Sequence, residues 1–201
     1  MQKTLGYIGW LSLIIISLLF ISVIPTEAEA AIYDDTVRLH ILANSDSEED
    51  QALKLEIRDL LLEKYGSLIS DSDGTDEARD RIEALLPEMR RDVEEWIRAA
   101  GYSYECDVTL SEEWYDTREY DGFSLPSGRY TSLRVLIGDA EGKNWWCVMF
   151  PPLCLDIATE SAPSDDALLG YTGEEVRLIS GGYTVKFKLL ELLSDHLPFF
   201  S

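Results

Sequence analysis

Apolar positions change their period twice along this chain, and those changes set its organisation. From Thr36 to Ala43 (TVRLHILA) apolar and polar residues alternate well enough for a strand, which the polar turn Asn44-Ser45-Asp46-Ser47 closes. Leu53, Ile57, Leu60, Leu61 and Tyr65 then recur at helical spacing, predicting an amphipathic helix of about 20 residues from Asp46. Ser45 with Glu48 three positions later reads as a capping box, and acidic residues crowd the first turn, where the helix dipole favours them. After the loop Ser70–Gly74, Thr75 is the expected cap of a longer helix. Ala78, Ile82, Leu85, Leu86, Met89, Val93, Trp96 and Ile97 keep one apolar stripe as far as Gly101. Pro87 lies inside that stripe, which stays in register across it, so a helix kinked at Pro87 is expected.

From Tyr102 the period is two. Tyr104–Leu110 reads as a strand, Glu112–Arg118 as a second and less regular one, and Arg129–Ile137 follows a turn-rich stretch. Gly138–Asn144 reads as a hairpin loop pairing Ser132–Ile137 with Trp145–Phe150. That last run carries large side chains at successive positions, as a central strand covered on both faces does, and Pro151-Pro152 ends it because neither residue donates a backbone hydrogen bond. Residues 156–182 show only short helical hints, such as Gly173–Ile179, and Tyr183–Leu193 fits strand or helix. The expected fold is α+β: two N-terminal amphipathic helices, one kinked at Pro87, packed on a mostly antiparallel sheet.

Charge narrows the partners. The chain has 38 acidic against 17 basic residues, a formal net charge of -21, which repels phosphate backbones and anionic lipid and argues against nucleic-acid binding. An apolar fraction of 46% with five Trp marks a globular chain. The N-terminus changes the picture more. Lys3, the uncharged run Leu5–Ile24, Pro25 and then Ala28-Glu29-Ala30 form a signal peptide over residues 1–30, with cleavage expected after Ala30 and a single domain over 31–201. The competing reading is an uncleaved membrane anchor through residues 5–24. Either way the domain works outside the cytoplasm in which it is made.

Candidate chemistry is sparse. Of three cysteines, Cys147 and Cys154 flank the Pro-Pro turn, where a chain that doubles back brings them within disulfide reach, while Cys106 reads as a small core hydrophobe. His40 lies in a strand and His196 near the C-terminus, without the ligand cluster that zinc needs. Asp71-Ser72-Asp73-Gly74 opens like a calcium loop, but Ile82 stands at the twelfth position. Cys147 with His40 would make a thiol nucleophile and base, against which a Cys between Trp and Val in a strand is more often buried and inert. No catalytic, cofactor-binding or metal constellation is expected, so a binding or signalling module is favoured over an enzyme.

Two blocks carry a resemblance. Val37–Asp59 (VRLHILANSDSEEDQALKLEIRD) is similar to the opening of the stage II sporulation protein R family. Leu125–Tyr130, Leu133-Arg134-Val135 and Gly142–Cys154 resemble its second block, in the same order, with Asp156 following Leu155 where the family tends to carry an apolar residue before its Asp. The resemblance implies a signal rather than a catalyst. Members are made in the forespore of endospore-forming bacteria and exported into the space between the two membranes. There they activate a membrane-embedded aspartyl protease of the mother cell that processes a sigma-factor precursor. Within the two blocks, Asn44, Asp46, Asn144 and Trp145 are expected to face that partner, with Trp146, Val148 and Phe150 mainly in the core. The alternative is an exported cell-wall-directed hydrolase using Cys147 or His40.

Overall fold

The computed structural model of the chain describes residues 7, 10–14, 16–17, 27–120, 123–153 and 170–180. In order these form α1 (Glu27–Asp34), β1 (Val37–Leu42), α2 (Glu48–Ser70), α3 (Thr75–Ala99), β2 (Cys106–Tyr115), β3 (Arg118–Tyr120), β4 (Phe123–Leu125), β5 (Gly128–Ile137), β6 (Asn144–Phe150) and α4 (Gly173–Ser180). The fold is α+β. Among the described residues no helix is long and apolar enough to cross a membrane. Cys154, Asp156, Tyr183–Leu193, His196 and most of the run 5–24 lie outside the described residues. The expected cleavage position after Ala30 falls inside α1, where Glu29 is buried.

The helices follow their spacing, with one change at a cap. Ser47, not Ser45, caps α2, its hydroxyl accepting the Asp50 N–H at 3.1 Å. Ser45 is drawn away because its own hydroxyl donates to the Asp50 carboxylate at 2.6 Å. At the start of α3, Gly74 rather than Thr75 is the cap residue. The helix runs on through Pro87, which is exposed, as is Glu83 one turn earlier, so the carbonyl that proline leaves unbonded faces solvent. Gly101, at φ +90°, follows its C-terminus.

Sheet topology departs from the expected hairpin. The order among the described strands is β2-β5-β1-β6, with β2-β5 and β1-β6 antiparallel and β5-β1 parallel. β5 and β6 therefore do not pair: β1 lies between them, Leu39 opposite Leu133 on one side and Cys147 on the other. Among the described strands the Trp-bearing strand is an edge rather than the centre. Nor is Glu112–Arg118 a separate strand. β2 runs unbroken to Tyr115, matched residue for residue with β5, and among the described strands β3 pairs with β4 alone.

Alternation divides β1 between two cores. Val37, Leu39 and Ile41 join Leu133, Val135, Ile137, Cys147 and Met149 under the apolar stripes of α2 and α3. Arg38 and His40 point to the other face, whose cover among the described residues is Ile32 of α1, Phe123 and Leu125 of β4, Leu153, Tyr171 and, from α4, Ile179.

Candidate functional site

The second face is where the chemistry collects. Arg38 is fully buried, its guanidinium 4.0 Å from the Tyr115 ring centroid and 5.0 Å from that of Tyr130. Nη2 donates to the Tyr120 hydroxyl at 2.6 Å, while Nε and Nη1 have no hydrogen-bond partner among the described residues. A buried cation is costly, and stacked aromatic faces supply part of what water gave it. Burial pushes the Tyr115 and Tyr130 hydroxyls up, so both rings stay neutral beside it.

Two residues along β1, His40 lies between a carboxylate and an amide. Its Nδ1 is 3.0 Å from Glu113 Oε2, and its Nε2 is 2.9 Å from Asn144 Oδ1. Arg134 Nε holds the other Glu113 oxygen at 2.7 Å. Burial pushes the Glu113 carboxyl up, but the His40 hydrogen bond and the neighbouring cations outweigh it and hold the group below the usual carboxylate range. The Trp146 ring packs 5.5 Å from His40, and Arg118 lies over it at 3.7 Å.

The loops at this end of the sheet form one unit. The Asn44 side-chain oxygen accepts the Asp139 N–H at 3.0 Å, and Asp46 accepts the Lys143 N–H at 2.7 Å. Backbone bonds from Glu141 to Asn44 and from Gly142 to Ala43 lay the loop flat on the end of β1. Gly142 permits this approach, since a Cβ there would meet the Ser45 carbonyl oxygen at 2.2 Å. Buried Lys54 donates to the Lys143 carbonyl at 2.9 Å, and Asp50 gathers Ser45, Asn44 and Tyr104 onto one carboxylate. The Ser45 hydroxyl, then the Asn44 amide, hold Asp50 below its ordinary range.

The four residues expected to face a partner thus have different surroundings. Asn144 and Asp46 are exposed, and Asn44 and Trp145 are half-buried. Asn44 and Asp46 both spend their acceptor oxygens on the 139–143 loop, which makes them positioning residues for it. Trp145 packs against the apolar core and carries Arg58 over its ring at 5.0 Å. Trp146, expected mainly in the core, is half-buried like its neighbour, whereas Val148 and Phe150 are buried.

Cys147 and His40 do not form a nucleophile–base pair. Cys147 belongs to the apolar core, on the opposite face of the sheet from His40, and it is disulfide-bonded. Cys154, its expected partner, lies outside the described residues. Cys106 is free and buried, as expected of a core residue. Among the described residues no group of His, Cys, Asp and Glu could hold a metal ion. Sequence reasoning missed Glu113, Arg118 and Arg134, because they reach His40 and Trp146 from other strands and no local spacing marks them. It singled out Trp146 as mainly core, and the half-buried ring does pack against the second apolar cluster.

Comparison with known proteins places these features. No solved structure matches the chain. Stage II sporulation protein R of Bacillus subtilis (strain 168) is 37% identical over 130 residues, which cover 64% of this chain and 58% of that relative. The family model for stage II sporulation protein R (spore_II_R) matches residues 33–160, a span that holds the strand of Arg38 and His40, the Asn44–Asp50 turn and the Trp pair. The chain therefore belongs to the stage II sporulation protein R family, and its role lies in sporulation.

Proposed function

We propose that this protein is an exported sporulation signal. It is made in the forespore and crosses the forespore membrane into the intermembrane space. There it activates a membrane-embedded aspartyl protease of the mother cell, which processes a sigma-factor precursor. The observation that carries the reading is the family match over residues 33–160. The separation of Cys147 from His40 across the sheet supports a ligand over a thiol hydrolase. A ligand shifts a two-state protease only by binding its active state more tightly, so it needs a specific contact surface rather than bulk charge. Asn144 and Trp145 supply that surface, with Asn44 and Asp46 shaping the loop beside it. Co-purification of the full chain with the candidate protease tests the reading, and a stable complex is expected. Deleting residues 1–30 should leave a folded domain that cannot signal from the cytoplasm. Full sigma-factor processing with that truncation would remove the intercellular signal.

A further inference from the structure

Two adjacent tryptophans on a strand place their rings on opposite faces of a sheet. Here each ring carries a guanidinium, and the two come from unrelated elements: Arg58 of α2 over Trp145 at 5.0 Å, Arg118 of β3 over Trp146 at 3.7 Å. Both tryptophans are half-buried, and they stand at the start of β6, an edge among the described strands, beside exposed Lys143 and Asn144. From this arrangement we propose that the start of β6 is a cation–aromatic clamp that recognises carboxylate side chains on a protein partner. The proposal rests on the signalling reading above and names the contact surface and its chemistry.

Geometry and charge both favour a carboxylate. Stacking uses the face of a guanidinium and leaves its N–H rim pointing outward, and that rim is what binds a carboxylate with two parallel hydrogen bonds. Trp and Arg are also the side chains from which interfaces draw most of their binding energy. Overall the chain is acidic, with a net charge of -21, so most of its surface repels an acidic partner. At the start of β6 the cations are not in excess: Arg58 is paired with Asp59, Arg134 with Glu113, and Asp46 lies on the Lys143 backbone N–H at 2.7 Å, so it is the unpaired cations there that favour a carboxylate. Among the described residues, no ion pair uses Arg118 or Lys143. A carboxylate arriving at the clamp meets the unpaired Arg118 over Trp146 and the unpaired Lys143 next to Asn144 in the chain, and would compete with Asp59 for Arg58 over Trp145.

The test titrates the full chain onto nanodiscs holding the candidate protease, at low and high salt, with empty nanodiscs of the same anionic lipid as control. Wild type should bind, and less tightly as salt rises. Arg58→Glu and Arg118→Glu should each weaken binding by about tenfold or more, mostly through faster dissociation, with the melting curve unchanged. Arg118→Lys, which keeps the charge but loses the stacked fork, tests the same contact if Arg118→Glu disturbs the fold, and about threefold weaker binding is expected. Folded reversal variants that bind like wild type would overturn the clamp and leave the signalling reading standing. Equal capture by empty nanodiscs would replace the protein partner with lipid and overturn the clamp as stated. Failure of wild type to bind the protease would remove the signalling reading and the clamp with it.

Discussion

The two faces of the four-stranded sheet are built on opposite terms. Under α2 and α3, β1 shows Val37, Leu39 and Ile41 to hydrocarbon alone. One residue out of phase it shows Arg38 and His40 to a layer of Tyr115, Tyr130, Ser132 and Trp146. The apolar face is a store of stability. On the polar face, buried groups must find specific partners, and unmet ones are costly. The contrast also fixes register, because a slip of one residue would drive Arg38 and His40 into the hydrocarbon. The proposed recognition surface lies at the His40 and Trp146 end of the polar face, where Trp146 is half-buried.

The largest effects are expected on the apolar face. Leu39→Ala should cost about 2–5 kcal/mol in urea unfolding, through lost transfer energy and the cavity left behind, and Phe150→Ala about 3–5 kcal/mol. A cost below about 1 kcal/mol at Leu39 would mean that the strand is not the centre of the core.

Next comes the Arg38 pocket. Tyr120→Phe removes the hydrogen bond that the buried guanidinium makes through Nη2 and should cost about 1–3 kcal/mol. Arg38→Met, which removes the charge and fills its space, should cost less than Tyr120→Phe or even stabilise. The reverse order would show that the cation itself holds the cover of this face in place.

Acid should act on the polar groups in particular. Asp50 and Glu113 are held below the ordinary carboxylate range in the folded protein. Their contribution is therefore complete above the unfolded values of about 4 and is lost as pH falls through the lower folded values. Urea unfolding at a series of pH values should show stability falling below about pH 4.5, and less steeply in Asp50→Asn or Glu113→Gln. Equal slopes in wild type and both variants would contradict this.

Cysteine changes should be the smallest. Burial pushes the Cys106 thiol up to about 11, so it should resist alkylation in the folded protein, and Cys106→Ala should cost about 1 kcal/mol. Mass spectrometry of unreduced protein should find one free thiol, and three would exclude a 147–154 bridge.

Much of the frame was legible because it is local. Spacing alone located α2, α3 and α4, alternation located β1 and β5, and a continuous apolar run stopped by Pro151-Pro152 located β6. Which strands pair was not legible: a seven-residue loop between two strands looks like a hairpin, and only β1 returning between them makes it a bridge across the sheet. The cap of α2 was misplaced for a similar reason, since Asp50 recruits Ser45 for the loop unit and leaves the cap to Ser47. At the candidate site, His40, Asn144 and both tryptophans stood out by type and setting. Their partners Arg58, Glu113, Arg118 and Arg134 are ordinary surface residues by sequence and gain meaning only from non-local pairing.

The central claim is that the start of β6 serves recognition while its end serves the core. Trp145→Ala and Phe150→Ala, compared in sporulating cells for sigma-factor processing and in vitro for melting temperature, test it most directly. The account predicts that Trp145→Ala abolishes processing with its melting temperature within a few degrees of wild type, while Phe150→Ala melts well below both. Equal loss of stability in the two variants, or normal processing with Trp145→Ala, would contradict it.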